Sequence, residues 1–308
     1  MKAEEFLKKT HGKTAIFFHN DADGVCSAAI VLKYVKEADL FSGDVNEEIF
    51  ENLGADYERI IFVDYAVDQF IDYFQKLKGR KVIVIDHHPI ANDLNKLGFV
   101  HINPRFEKPK EYISCSQVVY EICNNLGVKD TEWIMRIGAT GDAAIKGTKK
   151  EKDAAKIIEA FKAFKKAKRL PEIVRFMLTC DNIDDFIYSE YLDYKEKLDK
   201  EVENEVIRFE MQGVKDINFY DVKSKYGILA VVSNTLFEKY PNKIIILYKE
   251  KDGWYKFSGR SAKHDIGSVF KKASEGIGYG GGHPKAGGAY INNFELFKKR
   301  VLELLHSG

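Results

Sequence analysis

Four short apolar runs in the first third of the chain each end on polar residues. Ala15-Ile16-Phe17-Phe18 ends at His19, Ile60-Ile61-Phe62-Val63 at Asp64, Val82-Ile83-Val84-Ile85 at Asp86, and the run 99–102 at Asn103-Pro104. Short runs without polar alternation predict strands buried on both faces of a parallel sheet. Stretches of helical period over 25–36 and 67–77 predict the crossovers between them. From Ser116 onward the pattern turns helical, over 118–126, 133–144, 152–167 and 173–178. The lysine-rich part of this region, 149–169, reads as a solvated face. A highly charged segment, 191–210, carries Leu192, Leu198, Val202, Val206 and Phe209 at helical spacing and predicts a connecting helix. Beyond Val214, runs at 228–232, 244–248 and 254–257 predict strands, and 266–274 predicts a helix. A glycine-dense loop and a last helix at 295–305 complete the chain. The expected architecture is α/β in two domains. A parallel sheet flanked by helices covers 1–187, a connecting helix 188–213, and a smaller α/β domain with a mixed sheet 214–308, with the active-site cleft between the domains.

Composition narrows the class. Of 308 residues, 45% are apolar and 31% charged, enough for full cores in a soluble protein. The net charge of +1 supplies no global field for tracking a long polyanion. Cys26, Cys115, Cys123 and Cys180 are scattered without a C-x-x-C pair, so they read as reduced thiols of a cytoplasmic protein rather than a disulfide frame or zinc knuckle. No apolar stretch approaches the roughly 20 residues of a membrane span, and the charged start shows no signal peptide. Abundant Lys, Glu and Ile with little Gln lean toward a thermophilic source.

The chemistry collects where the strands end. His19-Asn20-Asp21-Ala22-Asp23-Gly24 follows the first strand, Asp64 another, and Asp86-His87-His88-Pro89 a third. Residues spaced by two on extended backbone share a side, so His19, Asp21 and Asp23 point together. Asp142, in Gly138-Ala139-Thr140-Gly141-Asp142, is a sixth candidate, since two glycines admit close backbone approach. Any one Asp after a strand would read as a turn or cap. Three strand ends delivering Asp and His read as a ligand site, because open α/β sheets bind ligands there. Carboxylates and imidazoles without thiolates suit Mn²⁺, with Mg²⁺, Co²⁺ or Fe²⁺ as alternatives, better than structural zinc. Five or six such groups exceed the needs of one ion and suit two, about 3.5–4 Å apart.

A second signal lies at Gly278-Tyr279-Gly280-Gly281-Gly282-His283-Pro284-Lys285-Ala286-Gly287-Gly288. Glycines there expose backbone N–H groups, and His283 and Lys285 can donate to an anion. Arg260, after a strand in Ser258-Gly259-Arg260-Ser261, offers a guanidinium for bidentate phosphate contact. Arg105 and Ser116 are further candidates for substrate contact; for Ser116, at a helix start, a plain cap is the equal alternative. Phe106, Tyr279 and Tyr290 are candidates for stacking on bases, against the ordinary reading of an aromatic as core.

The order and spacing of His19-x-Asp21-x-Asp23, Asp64, Asp86-His87-His88-Pro89 and Gly141-Asp142 resemble the four motifs of the DHH phosphoesterases. Arg260 and the GGGHPKAGG run resemble the DHH-associated C-terminal domain of RecJ-like exonucleases, nanoRNases and cyclic di-AMP phosphodiesterases. The resemblance covers nearly the whole chain. It implies that His19, Asp21 and Asp64 hold one Mn²⁺ and that Asp23, Asp64, His87 and Asp142 hold the other, with Asp64 bridging. It implies further that His88 faces the scissile phosphate, and that Asp86 orients an imidazole. It places Arg260, Gly281, Gly282, His283 and Lys285 on the substrate. The H-x-D-x-D spacing is closer to the RecJ-like branch than to the H-x-x-x-D-x-D of the small-oligonucleotide branch, and leaves open whether His19 is a ligand.

The expected function is Mn-dependent hydrolysis of short RNA or DNA oligonucleotides or linear dinucleotides to nucleoside monophosphates. Alternatives are a RecJ-like exonuclease on longer single strands, a phosphoadenosine-phosphate phosphatase, a cyclic di-AMP phosphodiesterase, or a non-catalytic replication scaffold. The partners expected are such nucleic acids and no membrane, and a homodimer is compatible with this architecture.

Overall fold

The computed structural model describes residues 3–8, 12–44, 48–51, 53, 54 and 56–306, and divides into two compact units, Met1–Lys195 and Glu196–Gly308. In the first unit, β1 (Thr14–His19), β2 (Asp39–Gly43), β3 (Arg59–Val63), β4 (Lys81–Ile85) and β5 (Val100–Ile102) form one all-parallel sheet in the order β2-β1-β3-β4-β5. Alternate residues feed two cores. Ile16, Phe18, Ile61, Val63, Ile83 and Ile85 pack into one; Ala15, Phe17, Ile60, Phe62, Val82 and Val84 pack into the other. Burial on both faces explains why these strands read as unbroken apolar runs. The strand order reverses between β1 and β3, and in doubly wound sheets the crevice at the carboxyl ends there is where ligands bind.

The charged segment 191–210 lies in the helix Leu192–Met211, and the division between units falls inside it, between Lys195 and Glu196. The second unit carries β6 (Ile217–Asp221), β7 (Ile244–Lys251), β8 (Trp254–Arg260), β9 (Gly278–His283) and β10 (Ala286–Ile291) in the order β6-β7-β8-β10-β9. Only β6 and β7 pair in parallel, so the sheet is mixed. Phe257, Ala289 and Ile291 bury one face beneath the helices Ile266–Ala273 and Phe294–His306.

Two expectations are corrected. The run 228–232 is not a strand but opens the helix Leu229–Lys239, where Leu229, Val232, Ser233 and Leu236 are buried at spacings of three and four. Five consecutive apolar residues fit either period, and the deciding residue, Leu236, lies outside the run. The glycine-dense run is not a loop but the hairpin of β9 and β10, turned at Pro284-Lys285. Side chains at its inward positions have no room. A Cβ on Gly267, in the adjoining helix, would come within 2.5 Å of the Gly282 carbonyl carbon. Strand propensity, which marks glycine as a breaker, therefore points the wrong way here. Strands β2 and β6, short and only partly buried, were not anticipated.

Candidate metal centre

His19, Asp21 and Asp23 leave the end of β1 as the helix Ala22–Val35 begins. Asp21 is its N-cap, with one carboxylate oxygen accepting from the Gly24 N–H at 2.9 Å and the other 2.7 Å from His19 Nδ1. Burial opposes ionisation of Asp21, yet the His19 ring and the Gly24 N–H hold its carboxyl below the usual carboxylate range. Asp23, the second residue of that helix, is buried. It accepts from the backbone N–H groups of Cys115 (2.7 Å) and Ser116 (3.0 Å), which open the helix Cys115–Asn125. Burial and then the charge of Asp21 push its carboxyl up to about 6.

Asp64 and Asp86 take equivalent places after β3 and β4. The ladder continues one residue past each strand, with Asp64 N–H donating to Ile85 and Asp86 N–H to Ile102. Asp64 has φ of 57°, left-handed backbone that Asp tolerates better than most residues but still pays for. That turn leaves its carboxylate buried with neither oxygen hydrogen-bonded. Burial, then Asp21, Asp23 and Asp86, push the Asp64 carboxyl well above its usual range.

Around Asp64 the imidazoles gather. His87 Nε2 is 3.2 Å from Asp64 Oδ1, and His19 Nδ1 is 3.7 Å from Oδ2. His87 Nδ1 lies 3.7 Å from Asp142 Oδ2, and both these buried atoms are also without a hydrogen bond. Burial lowers the His87 pKa, favouring the neutral ring a metal needs. Burial, then Asp23, push the Asp142 carboxyl up to about 6. Three sets of donors lie within 4.8 Å of one another: His19, Asp21 and Asp64; Asp23, His87 and Asp142; Asp64, His87 and His88. Four orphaned atoms buried among like charges are costly unless a cation compensates them. The donor set of carboxylates and imidazoles therefore fits divalent ions.

The Asp86 carboxylate accepts from His88 Nδ1 at 2.8 Å, so the imidazole it orients is that of His88. Burial would lower the His88 pKa, but the Asp86 hydrogen bond and charge raise it. Two residues expected to touch substrate also engage the protein's own groups. Ser116 is fully buried, bonded to Asp23 and Ser114 and donating to the Met135 carbonyl. Arg105 Nε donates to the His87 carbonyl at 2.7 Å and, with Asn103 Nδ2 on the His88 carbonyl, pins the His87-His88 backbone. Tyr112, which sequence reasoning missed, donates its hydroxyl to Asp142 Oδ1 at 3.0 Å, its ring edge-on to His87. Nothing in its local sequence marks it.

Glycine permits the close approach that brings Asp142 in. A Cβ on Gly138 would stand 2.6 Å from Ser116 Oγ and 2.9 Å from Asp23 Oδ1. Gly138→Ala is expected to cost about 1–3 kcal/mol of stability through overpacking. Because the strain falls on Asp23, it should also lower turnover by roughly tenfold or more. Thermal melts and turnover measured together check both; full activity would show that Asp23 does not depend on this packing.

In the second unit, Arg260 and His283 stand on one sheet face, each paired in register with the small Ala286 between them. Arg260 Nε donates to Asn234 Oδ1 at 2.7 Å, which sets its orientation. Gly281 and Gly282 lie on the edge strand β9; Gly282, His283 and Lys285 are exposed.

A family model described as "DHH family, N-terminal domain" matches residues 13–147, and one described as "DHHA1 domain" matches 215–307. Fold and site thus place the chain among proteins built on a DHH domain whose donor groups suit divalent ions. The first unit carries a DHH-family N-terminal domain and the second a DHHA1 domain. No curated protein sequence matches it. Among solved structures, RecJ from Thermus thermophilus in complex with Mn²⁺ overlays with a TM-score of 0.77 at 17% identity, covering 99% of this chain. The chain spans about half of that protein, 53% of its length. An exonuclease RecJ bound to manganese gives 0.71 at 17% identity, with 97% of this chain and 92% of that one covered. PggH from Vibrio cholerae, a pGpG-specific phosphodiesterase, gives 0.60 at 14% identity, with 96% and 100% covered. Among the described residues, no helix is long and apolar enough to cross a membrane.

Proposed function

We propose that the protein is a two-metal phosphodiesterase that hydrolyses short oligonucleotides or linear dinucleotides to nucleoside monophosphates, with Mn²⁺ as its ion. The supporting observation is the linked donor clusters, in which Asp64 gathers His19, Asp21 and His87 while His87 gathers Asp23 and Asp142, with buried atoms left unpaired. His19, Asp21 and Asp64 would hold one ion, and Asp23, Asp64, His87 and Asp142 the other. Bound there, such ions lower the pKa of a water and neutralise phosphoryl oxygens. The chain's own groups place the substrate. His88, half-buried and held by Asp86 through Nδ1, presents Nε2 toward the substrate and, when protonated, donates Nε2–H to a phosphoryl oxygen. Arg105 and Asn103 fix the backbone that carries it. Arg260, His283, Lys285 and the Gly281-Gly282 backbone bind nucleotide parts away from the reacting phosphate.

A second reading, a RecJ-like exonuclease on longer single strands, is favoured by the H-x-D-x-D spacing of His19, Asp21 and Asp23. Product analysis on end-labelled two- to twenty-mers of RNA and DNA with Mn²⁺ separates the two. Monophosphate release confined to the shortest substrates supports the first reading. Preference for the longest supports the second, and no hydrolysis of any would refute both.

A further inference from the structure

The glycine hairpin does more than present Arg260 and His283. In register, Trp254, Lys256, Ser258 and Arg260 of β8, Ala286, Gly288 and Tyr290 of β10, and Tyr279, Gly281 and His283 of β9 share one face of the sheet. The helix Leu229–Lys239 covers only part of it, where Ser233 meets Ser258 and Asn234 meets Arg260. Past that helix, Lys256, Gly288, Tyr279 and His283 are exposed.

On this open part the aromatics are ordered. Trp254 and Tyr290 stack at 4.8 Å with their planes 9° apart, and Tyr279 leans on Tyr290 with centroids 5.8 Å apart. Tyr279 is nonetheless 70% exposed. A large ring braced on one side and bare on the other has little conformational freedom left to lose on binding. Glycines at 281 and 288 keep the floor beside it flat. The charge is one-sided. Counting the facing strand positions of β7, β8, β9 and β10, the face carries Lys251, Lys256, Arg260 and His283 and no carboxylate, while Lys249 is taken up by the Ser224 and Tyr226 carbonyls.

We propose that this face is a base-stacking site for single-stranded nucleic acid. A base packs on the exposed ring of Tyr279, braced by Tyr290 and Trp254, and the neighbouring phosphates lie along Lys256 and Lys285. The inference rests on the phosphodiesterase reading for its substrate class, and adds that bases are held by stacking, which tolerates any sequence.

Binding of a fluorescein-labelled six-nucleotide single strand, followed by anisotropy with EDTA present to prevent turnover, tests it. Tyr279→Ala should weaken binding by about tenfold or more, and Tyr279→Trp should restore it. Tyr188→Ala, at a 73% exposed aromatic far along the sequence, should bind as the wild type does. A six-residue abasic strand, which keeps the phosphates and lacks the bases, should bind the wild type and Tyr279→Ala alike. Equal affinity of wild type and Tyr279→Ala for the full strand would overturn the site, as would an equal loss on the abasic strand. If the wild type binds the strand but releases no monophosphate when Mn²⁺ replaces EDTA, the phosphodiesterase reading fails while the stacking site stands.

Discussion

Asp64→Asn is expected to abolish hydrolysis and, in metal-free protein, to raise the melting temperature. Both effects come from one carboxylate. Asp64 shares one donor cluster with His19 and Asp21 and another with His87, which is also grouped with Asp23 and Asp142, so its loss should weaken both proposed ion sites at once. Metal activation is worth several kcal/mol, and each 1.4 kcal/mol is a factor of ten, so turnover should fall on the order of 10³-fold or more. Without metal the same carboxylate is a liability. It is buried, both oxygens lack hydrogen bonds, and Asp21, Asp23 and Asp86 surround it. Asparagine fills the same volume, tolerates the left-handed backbone and carries no charge. Relief of about 1–3 kcal/mol follows, which in a unit of this size is a rise of several degrees. Melting curves in EDTA and turnover in Mn²⁺ check the two halves. A variant that stays active would overturn the central place given to Asp64; one that melts lower in EDTA would show that the carboxylate is compensated in some other way.

Metal removal should act in the opposite direction on the wild type. Chelation should eliminate turnover, and restoring Mn²⁺ to a hundred times its Kd should add about 2.7 kcal/mol of stability. For a unit the size of Met1–Lys195, that is a rise of roughly 5–10 °C. Calorimetric titration should find two ions per chain in the wild type and one in Asp142→Ala, since Asp142 belongs to only one cluster. A stoichiometry of one in the wild type would contradict the two-ion arrangement. An unchanged melting temperature would show that the four orphaned atoms are not waiting for a cation.

Much of this was legible in the chain. The strands of the first unit could be read because burial on both faces leaves no polar residue inside them, and the polar motif begins at the residue where each run stops. The spacing of His19, Asp21 and Asp23 was informative for the same local reason. Where local pattern and tertiary contact disagreed, the reading failed. Residues 228–232 became helix because Leu236 completes a buried face beyond the run, and the glycines at 278–283 became an edge strand because a neighbouring helix packs too closely for side chains. Arg105 and Ser116 carry the right chemistry for a phosphate, and no local pattern told that Arg105 also holds the His87 carbonyl or that Ser116 lies buried against Asp23.

The sequence by itself determined the parallel sheet, the strand ends that carry the Asp and His residues, and the family those motifs belong to. These follow from periodicity and adjacency, which neighbouring residues specify. Only the tertiary structure decided that Asp86 serves His88, that Asp64 turns through left-handed backbone to face both groups of donors, and that Tyr112 reaches Asp142. It also decided that Asp23 is held by N–H groups some 92 residues away, at Cys115. The Tyr112 and Cys115 contacts depend on segments that meet only when the sheet and its helices close around the crevice, and no local pattern encodes such a meeting. Asp86 and His88 are near neighbours in sequence, but two adjacent imidazoles leave the choice between them to the backbone that the fold sets.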